Sequence, residues 1–230
     1  MSDRLPPGAT IGILGGGQLG RMLALAAARL GFRCHIFEPG ADCPAGQVSA
    51  ACTTAPYSDK AALAAFAAAV DVVTYEFENI PTEALDIIER SAPIRPGRVA
   101  LATSQDRLVE KEFLTSLGLQ TAPYADAADF ADALSSIGTP SLLKTRRFGY
   151  DGKGQARIEA PDQAEEALAS LAGAPAILEG LVPFDYELSV IAARALDGSV
   201  VAFDPGENVH VGGILRTTTV PGQISGDMAR

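Results

Sequence analysis

The sequence TIGILGGGQLGRMLALAAARLGFRCHIFE, residues 10–38, predicts a strand, a glycine loop, a helix and a second strand in direct succession. Residues 10–14 form a short apolar run that ends in glycines, which is typical of a buried strand. Residues 18–30 have helical spacing, and one face of that helix carries Leu19, Leu23, Ala26, Ala27 and Leu30. Gly31 suits a left-handed helix stop, and residues 33–37 are predicted to be the next strand.

The same alternation continues downstream of this stretch. Ser58 is in position to cap an alanine-rich helix that runs through Ala69, and residues 70–77 are predicted to be a third strand. Pro81 fits the first turn of a helix that follows to about Arg90. Strands and helices that alternate at this spacing predict an α/β fold with a doubly wound parallel sheet and right-handed crossovers.

The pattern changes at residues 91–97, SAPIRPG, where two prolines and a glycine indicate a domain boundary. Helices are predicted near residues 104–117, 126–137 and 162–171, and strands at 141–144 and 176–179. From Tyr186 onward the pattern favours antiparallel strands around an Asp197-Gly198 turn, with a further strand at 214–220 and a helix beginning at Ile224. We therefore expect domains at 1–97, 98–182 and 183–230.

The composition describes an acidic globular chain. Its 230 residues are 47% hydrophobic and carry a formal net charge of −10. A field of that sign repels nucleic acid and anionic lipid, so neither is an expected partner. No apolar stretch approaches the ~20 residues of a membrane helix, and the first nine residues lack the apolar core of a signal peptide. We therefore expect a cytoplasmic protein.

The metal-binding and redox residue types are few. The three cysteines, Cys34, Cys43 and Cys52, form no CxxC pair, and their odd number in a chain without a leader predicts reduced, structural thiols. With two histidines, a zinc site is not expected.

The first glycine loop, GGGQLGRM, follows a strand and opens a helix, so its backbone N–H groups and the positive helix end can face an anion. Gly15, Gly17 and Gly20 also satisfy G-x-G-x-x-G. Glu38 ends the next strand, where the ribose-binding acid of a dinucleotide site would lie. A nucleotide-phosphate loop, an NAD site and a turn without a ligand are the three interpretations of this loop.

A second glycine-rich stretch favours a polyphosphate over NAD. Lys144 ends a strand, and the stretch GYDGKGQ begins five residues later. Its three glycines allow the backbone to fold over phosphates, while Lys144 and Lys153 supply positive charge. The alternative is a glycine-rich hairpin with solvated lysines.

Several carboxylates stand where strands end or begin. Glu179 closes one strand, Glu187 opens the antiparallel segment, and Glu76 ends the third strand at the carboxyl edge where open α/β sheets bind ligands. Glu179 and Glu187, taken singly, are more typical of solvated side chains than of a site. His210 lies within ENVHVGGILR and is a better contact candidate than His35, which is predicted to be a strand residue.

Together these motifs resemble the biotin carboxylase-like ATP-grasp ligases, and in particular those of purine biosynthesis. Five stretches follow one another in that family's order from about residue 10 to the end, namely GGGQLGRM, TYEFENIP, QDRLVEKEFL, KTRRFGYDGKGQ and ENVHVGGILRTTT. The resemblance implies a pre-ATP-grasp domain followed by an incomplete α+β ATP-grasp domain. It also implies that ATP phosphorylates bicarbonate and that the carboxyphosphate carboxylates the amine of 5-aminoimidazole ribonucleotide.

The resemblance also implies which residues bind the substrates. Those expected to bind ATP are Arg107, Lys144, Gly149, Tyr150, Asp151, Gly152, Lys153, Gly154, Gln155, Glu179, Gly180, Leu181, Val182, Glu187 and His210. Those expected to bind the ribonucleotide are Gln18, Leu19, Glu76, Tyr150, Asp151 and Lys153. On this interpretation the first glycine loop faces a ribonucleotide phosphate, and Glu38 has no dedicated role.

Family members are longer than this chain. Their Mg²⁺ ligands and bicarbonate-binding arginine lie beyond the equivalent of Arg230, so we expect a fragment with no metal ligands or catalytic residues of its own and no turnover. The family also suggests a homodimer. Three alternatives stay open: a sister ligase such as the formate-using glycinamide ribonucleotide transformylase, an NAD(P) oxidoreductase domain, and a non-catalytic nucleotide-binding remnant.

Overall fold

A computed structural model describes residues 4–149 and 153–223 of the chain. The chain divides into two compact units, Met1–Phe113 and Leu114–Arg230. The domain boundaries expected after residues 97 and 182 remain predictions. No helix in the described part of the chain is long and apolar enough to cross a membrane.

The first unit contains a parallel four-stranded sheet. Its strands are β1 (Thr10–Leu14), β2 (Arg33–Glu38), β3 (Ala51–Thr54) and β4 (Val72–Tyr75), in the order β3-β2-β1-β4. The predicted parallel sheet is therefore confirmed. Strand β3 was missed because its sequence, ACTT, is short and has little apolar character.

The helices of the first unit are α1 (Gln18–Arg29), α2 (Lys60–Ala68), α3 (Thr82–Ile88) and α4 (Arg98–Ser104), and α5 (Arg107–Ser116) begins in it. Two predicted helix starts were wrong. Asp59, not Ser58, caps α2, because its Oδ1 accepts from the N–H groups of Ala61 and Ala62. The helix expected from Ser104 begins at Arg107, where Asp106 accepts from the N–H of Leu108.

Helices cover both faces of this sheet. Ile13 and Ile36 are buried in a cluster with Ala24 of α1, whereas the next residues along the strands, Leu14 and Phe37, are buried in a cluster with α2 and α3. Successive side chains of a strand point to opposite faces. The two clusters therefore confirm the doubly wound arrangement.

Helix α1 packs through its small residues. Gly20, Ala24 and Ala27 are the buried residues of α1, whereas Leu19 and Leu30 are 59% and 71% exposed. A Cβ atom on Gly20 would lie 2.8 Å from the carbonyl oxygen of Gly15. The helix therefore comes so close to the glycine loop that only a residue without a side chain fits at the contact.

The second unit begins with a small α+β domain. Its elements are β5 (Tyr124–Asp126), α6 (Phe130–Ile137), β6 (Ser141–Thr145), β7 (Gln155–Ile158), α7 (Ala164–Ser170) and β8 (Ala176–Gly180). The strands form an antiparallel sheet in the order β5-β8-β6-β7, over a core that includes Leu143 and Leu178. Strand β5 was missed, because the helix predicted from residue 126 begins at Phe130, after the capping residue Asp129.

Five short strands follow, namely β9 (Glu187–Ser189), β10 (Ala192–Arg194), β11 (Val200–Ala202), β12 (Gly206–Val211) and β13 (Ile214–Thr219). They form the antiparallel sheets β10-β11 and β13-β12-β9. The Asp197-Gly198 turn is confirmed: Gly198 has φ +86°, and the N–H of Ser199 donates to Asp197 Oδ1. The helix predicted from Ile224 lies outside the described residues.

Candidate functional sites

The glycine loop between β1 and α1 is held in a conformation that requires glycine. Gly15 has φ +99°, and its N–H donates to the carbonyl oxygen of Phe37 in β2. A Cβ atom on Gly16 would lie 2.6 Å from Cys43 Sγ. The loop is thus packed against the segment that follows β2.

Two carboxylates accept hydrogen bonds from the loop. The N–H of Gly16 donates to Glu38 Oε2 at 2.7 Å, and the N–H of Gly17 donates to Glu76 Oε1 at 2.8 Å. Glu38 Oε1 also accepts from the N–H of Gly40 at 3.0 Å. Glu38, for which no ligand-binding role was expected, therefore anchors the loop through its carboxylate. Each of its oxygens accepts one backbone N–H and keeps a further lone pair, so these hydrogen bonds by themselves do not decide the NAD interpretation, in which Glu38 binds a ribose.

Tyr57 adds a third oxygen to this cluster, and it was missed in the sequence. Its ring stacks on Phe37 with the ring centroids 5.5 Å apart. Burial first, and then the charges of Glu38 and Glu76, raise the pKa of Tyr57 far above its ordinary value. Tyr57 therefore stays protonated and can donate a hydrogen bond beside two carboxylates.

Gln18 and Leu19 are the first two residues of α1, and both are exposed. Gly17, which precedes them, has no side chain to cap the helix. The first N–H groups of a helix lack partners within the helix, and they lie at its positive end. Because Gly16 and Gly17 donate to carboxylates, the first turn of α1 is the part of this loop that suits an anion.

In the second unit, Lys144 and Glu179 form a largely buried ion pair. Lys144 Nζ lies 2.7 Å from Glu179 Oε2, and the two side chains are 22% and 9% exposed. In the antiparallel register Glu179 faces Leu142, two residues before Lys144 on the same face of β6. The two side chains are thus diagonal neighbours on adjacent strands. The structure brings together two residues that were predicted separately, one for phosphates and one for adenine.

The predicted phosphate flap is the loop of the β6–β7 hairpin. Thr145 N–H donates to the carbonyl oxygen of Gly154 at 2.7 Å, which closes the base of the loop. Gly154 has φ +67°, and a Cβ atom there would lie 2.6 Å from Thr145 Oγ1. Lys153 and Gln155, on either side of Gly154, are exposed, and Gly149 is partly buried. The other predicted flap residues, Tyr150, Asp151 and Gly152, lie outside the described residues.

The segment expected to line the adenine pocket continues from β8. Gly180 N–H donates to the carbonyl oxygen of Pro123 at 2.8 Å, and Leu181 N–H to that of Pro140 at 3.3 Å. Val182 comes next and is 45% exposed. Backbone hydrogen bonds therefore fix this segment up to Leu181.

Glu187 and His210 meet on the sheet β13-β12-β9. His210 Nδ1 lies 3.3 Å from Glu187 Oε2, and Asn208 Nδ2 donates to Glu187 Oε1, also at 3.3 Å. Asn208 Oδ1 in turn accepts from Thr218 Oγ1 at 2.9 Å. Both carboxylate oxygens of Glu187 are thus oriented by neighbours. Asn208 lies within the quoted ENVHVGGILR motif, but it was not selected as a site residue.

Arg107 is the first residue of α5 and is half-buried, and it belongs to the first unit. Within residues 4–149 and 153–223, no group of three or more His, Cys, Asp or Glu side chains could hold a metal ion. Mg²⁺ requires several oxygen ligands in near-octahedral geometry. The described residues therefore offer no preformed set of three or more protein ligands for Mg²⁺.

A parallel sheet with a glycine loop, followed by an antiparallel sheet with a lysine-bearing hairpin, is typical of α/β proteins that bind nucleotides. Residues 8–105 match the family described as "Ribonucleotide synthetase preATP-grasp domain", and residues 112–230 match "ATP-grasp domain". The chain therefore belongs to the ATP-grasp family.

Two of the curated relatives are N5-carboxyaminoimidazole ribonucleotide synthases. The N5-carboxyaminoimidazole ribonucleotide synthase of Brucella melitensis biotype 1 is 54% identical over 226 residues, which cover 96% of this chain and 62% of that protein. The synthase of the same name from Bacillus subtilis is 40% identical over 221 residues, which cover 95% of this chain and 58% of that protein. This chain thus spans less than two thirds of the length of these relatives.

Solved structures agree with this assignment. The ADP complex of purK, an N5-carboxyaminoimidazole ribonucleotide synthetase, matches with a TM-score of 0.93 at 39% identity, covering 100% of this chain and 62% of the other. The Aspergillus clavatus synthase in complex with ADP and 5-aminoimidazole ribonucleotide matches with a TM-score of 0.86 at 28% identity, covering 97% and 60%. The predicted fold class and family resemblance are confirmed.

Proposed function

We propose that this chain supplies the ribonucleotide-binding and ATP-binding parts of a ligase that makes N5-carboxyaminoimidazole ribonucleotide. The proposed reaction uses ATP, bicarbonate and 5-aminoimidazole ribonucleotide. Its main support is the 54% identity to the Brucella melitensis synthase over 226 residues. The largely buried Lys144–Glu179 pair beside a glycine-rich hairpin also supports the proposal, because this arrangement suits a nucleoside triphosphate.

In the proposed reaction, a bicarbonate oxygen attacks the γ-phosphorus of ATP, and ADP leaves. The exocyclic amine of the ribonucleotide then attacks the carboxyl carbon of carboxyphosphate, and it loses a proton as phosphate leaves. Phosphoryl transfer depends mainly on positioning and on neutralising charge. The residues of this chain are therefore proposed to bind and orient substrates.

Lys144 is proposed to bind ATP phosphate while Glu179 helps to line the adenine pocket. The 2.7 Å ion pair holds the ammonium group beside Glu179 and limits its rotamers. A preorganised cation costs less entropy to use than a solvated lysine, so the pair favours nucleotide binding. Arg107 is the second proposed phosphate ligand.

The remaining proposed ATP contacts surround these residues. Glu187 is proposed to accept hydrogen bonds from the ribose hydroxyl groups, because His210 and Asn208 hold its carboxylate in a fixed orientation. The flap is proposed to close over the phosphates, and it comprises Gly149, Tyr150, Asp151, Gly152, Lys153, Gly154 and Gln155. The segment at the end of β8 is proposed to contact adenine, and it comprises Gly180, Leu181 and Val182.

The ribonucleotide is proposed to bind at the glycine loop. The first turn of α1, with Gln18 and Leu19, would face its phosphate, and Glu76 would accept from a hydroxyl or amino group. We assign the phosphate to the helix end because its N–H groups are hydrogen-bond donors. We assign the hydroxyl or amino group to Glu76 because its carboxylate is an acceptor. Tyr150, Asp151 and Lys153 are proposed as further contacts.

We also propose that the ligase uses Mg²⁺, forms a homodimer and acts in the cytoplasm. These three proposals rest on the family resemblance alone. We further propose that residues 1–230 alone bind nucleotide without turnover. Phosphate release in the presence of ATP, Mg²⁺, bicarbonate and 5-aminoimidazole ribonucleotide tests this part. Substrate-dependent release from the monomeric chain would contradict it.

Calorimetric titration of the 230-residue chain tests the proposed substrates directly. We expect ATP to bind more tightly than NAD, and 5-aminoimidazole ribonucleotide more tightly than glycinamide ribonucleotide. Tighter binding of NAD would refute the ATP assignment. Tighter binding of glycinamide ribonucleotide would favour the formate-using sister ligase.

A further inference from the structure

Two cysteines that are unremarkable in the sequence lie next to each other in the first unit. Cys43 Sγ and Cys52 Sγ are 3.8 Å apart, nine residues apart in the chain. Cys52 is on β3, where it pairs with Ile36 of β2, and Cys43 is in the segment that follows β2. Cys43 is buried and Cys52 is exposed. Both are free thiols in this structure.

The thiol pair is in direct contact with the glycine loop. A Cβ atom on Gly16 would lie 2.6 Å from Cys43 Sγ, so the sulfur packs on the backbone of this residue. The N–H of Ala45 donates to the carbonyl oxygen of Gly16 at 3.0 Å. Gly46 leaves room for both sulfurs, because a Cβ atom there would lie 3.1 Å from Cys43 Sγ and 3.3 Å from Cys52 Sγ.

We propose that Cys43 and Cys52 form an oxidation site whose disulfide loosens the glycine loop. A disulfide bond is about 2.05 Å long, so the sulfurs, now 3.8 Å apart, must approach by roughly 1.8 Å. Cys43 forms part of the surface on which Gly16 rests. Its movement toward Cys52 removes that support or draws Gly16 with it, and either change weakens the hydrogen bond from Gly16 to Glu38.

The reaction is a thiol–disulfide exchange with a low-molecular-weight disulfide as the oxidant. The exposed thiolate of Cys52 attacks one sulfur of the oxidant, and one thiolate of the oxidant leaves. Cys43, as a thiolate, then attacks Cys52 Sγ, the Cys43–Cys52 bond forms, and the second thiolate leaves. The two cysteine protons pass to the departing thiolates through solvent. Two protein thiols are oxidised, and one disulfide is reduced to two thiols.

The surroundings of Cys43 and Cys52 favour a disulfide that forms slowly, rather than a metal site or a rapidly oxidised thiol. Burial, and then the hydrogen bond and charge of Cys43, raise the pKa of Cys52, so little thiolate is present at neutral pH. Two thiols are too few for a structural zinc site, and the described residues contain no group of three ligands.

Equilibration of the 230-residue chain in mixtures of reduced and oxidised glutathione tests the site. After acid quenching and alkylation of the unfolded chain, we expect intact-mass analysis to show a chain that has lost two hydrogen atoms and carries one alkyl group, where the reduced chain carries three. Peptide mapping should link Cys43 to Cys52. Cys34→Ala, which leaves the pair in place, should behave like the parent chain, and Cys52→Ser should form no internal disulfide. A bond to Cys34, or a stable glutathione adduct on Cys52 at equilibrium, would overturn the proposed site.

Amide hydrogen exchange of the oxidised and reduced chains tests the effect on the loop. We expect the amide of Gly16 to exchange roughly tenfold faster in the oxidised chain, which corresponds to about one weakened hydrogen bond. Dithiothreitol should restore slow exchange, and Cys52→Ser should show no change under oxidising conditions. Unchanged exchange in a chain that carries the disulfide would refute the coupling. Neither measurement uses a substrate, so its outcome is independent of the proposed function.

Discussion

Replacement of Lys144 by Met is the sharpest perturbation of the nucleotide site. The substitution keeps an unbranched side chain and removes the ammonium group that lies 2.7 Å from Glu179 Oε2. Removing one partner of a buried ion pair costs about 3–5 kcal/mol. Because Lys144 is 22% exposed and Glu179 9% exposed, water can reach part of the site, and we expect a loss of about 2–3 kcal/mol in the free energy of unfolding.

Urea unfolding of Lys144→Met, Glu179→Gln and the double variant measures the coupling between the two residues. We expect the Lys144→Met midpoint to fall by about 1 M. The double variant should be more stable than the sum of the single effects by about 1–2 kcal/mol. Arg157→Met is the matched control, since its pair with Glu159 is 54% and 53% exposed, and it should change stability by no more than about 0.5 kcal/mol. If the stability changes of the two single variants simply add up in the double variant, the ion pair does not contribute to stability as proposed.

The same variant tests the assignment of the nucleotide site. A charge-assisted hydrogen bond contributes roughly 1.5–3 kcal/mol, so Lys144→Met should weaken ATP binding by about ten- to hundredfold. The titration is done without urea, where the variant remains folded. Glu38→Ala should leave ATP affinity nearly unchanged. Equal losses from the two variants would show that the glycine loop of the first unit also holds the nucleotide.

Three further predictions concern the first unit. Glu38→Ala should destabilise the chain by about 1–3 kcal/mol because two backbone amides lose their acceptor, and Glu38→Gln should recover part of this loss in thermal unfolding. Gly20→Ala should lower the free energy of unfolding by at least about 1 kcal/mol, because its Cβ would lie 2.8 Å from a backbone oxygen. Gly97→Ala is the control, because its Cβ would meet nothing within 4 Å, and it should leave stability nearly unchanged. Equal unfolding midpoints for the two variants would contradict this prediction. Burial lowers the pKa of His35, so the folded state binds its proton less readily than the unfolded state. Stability should therefore be full above the ordinary pKa of about 6.5 and fall as the pH drops below it, and His35→Gln should show a smaller fall in urea titrations at pH 7 and pH 5.

Local sequence patterns predicted the elements that depend on neighbouring residues. The run 10–14 and the glycines after it define β1 and the loop, because a buried strand needs apolar residues and a tight turn needs glycine. The Asp197-Gly198 turn follows from the same kind of local preference. Strand β3 could not be found in this way, because the residues of ACTT have no clear apolar pattern and pair only once β2 is in place.

The side of α1 that packs was also beyond the sequence. The face predicted to pack carries Leu19, Leu23 and Leu30. The buried residues of the helix are instead Gly20, Ala24 and Ala27, of which only Ala27 belongs to that face. Close approach of the helix to the glycine loop, rather than hydrophobicity, selects this face. Periodicity thus predicted a helix but not its orientation.

Sequence alone determined the fold class and the position of the two glycine loops, because these depend on residue type and short spacing. It also selected the charged residues that are proposed to bind substrates. The tertiary structure decided which of them meet. Glu38 and Gly16 are 22 residues apart, and Lys144 and Glu179 are 35 apart. Cys43 and Cys52 come together only because β3 pairs beside β2. Such contacts depend on strand register and close packing, which are set by the whole sheet rather than by the residues on either side.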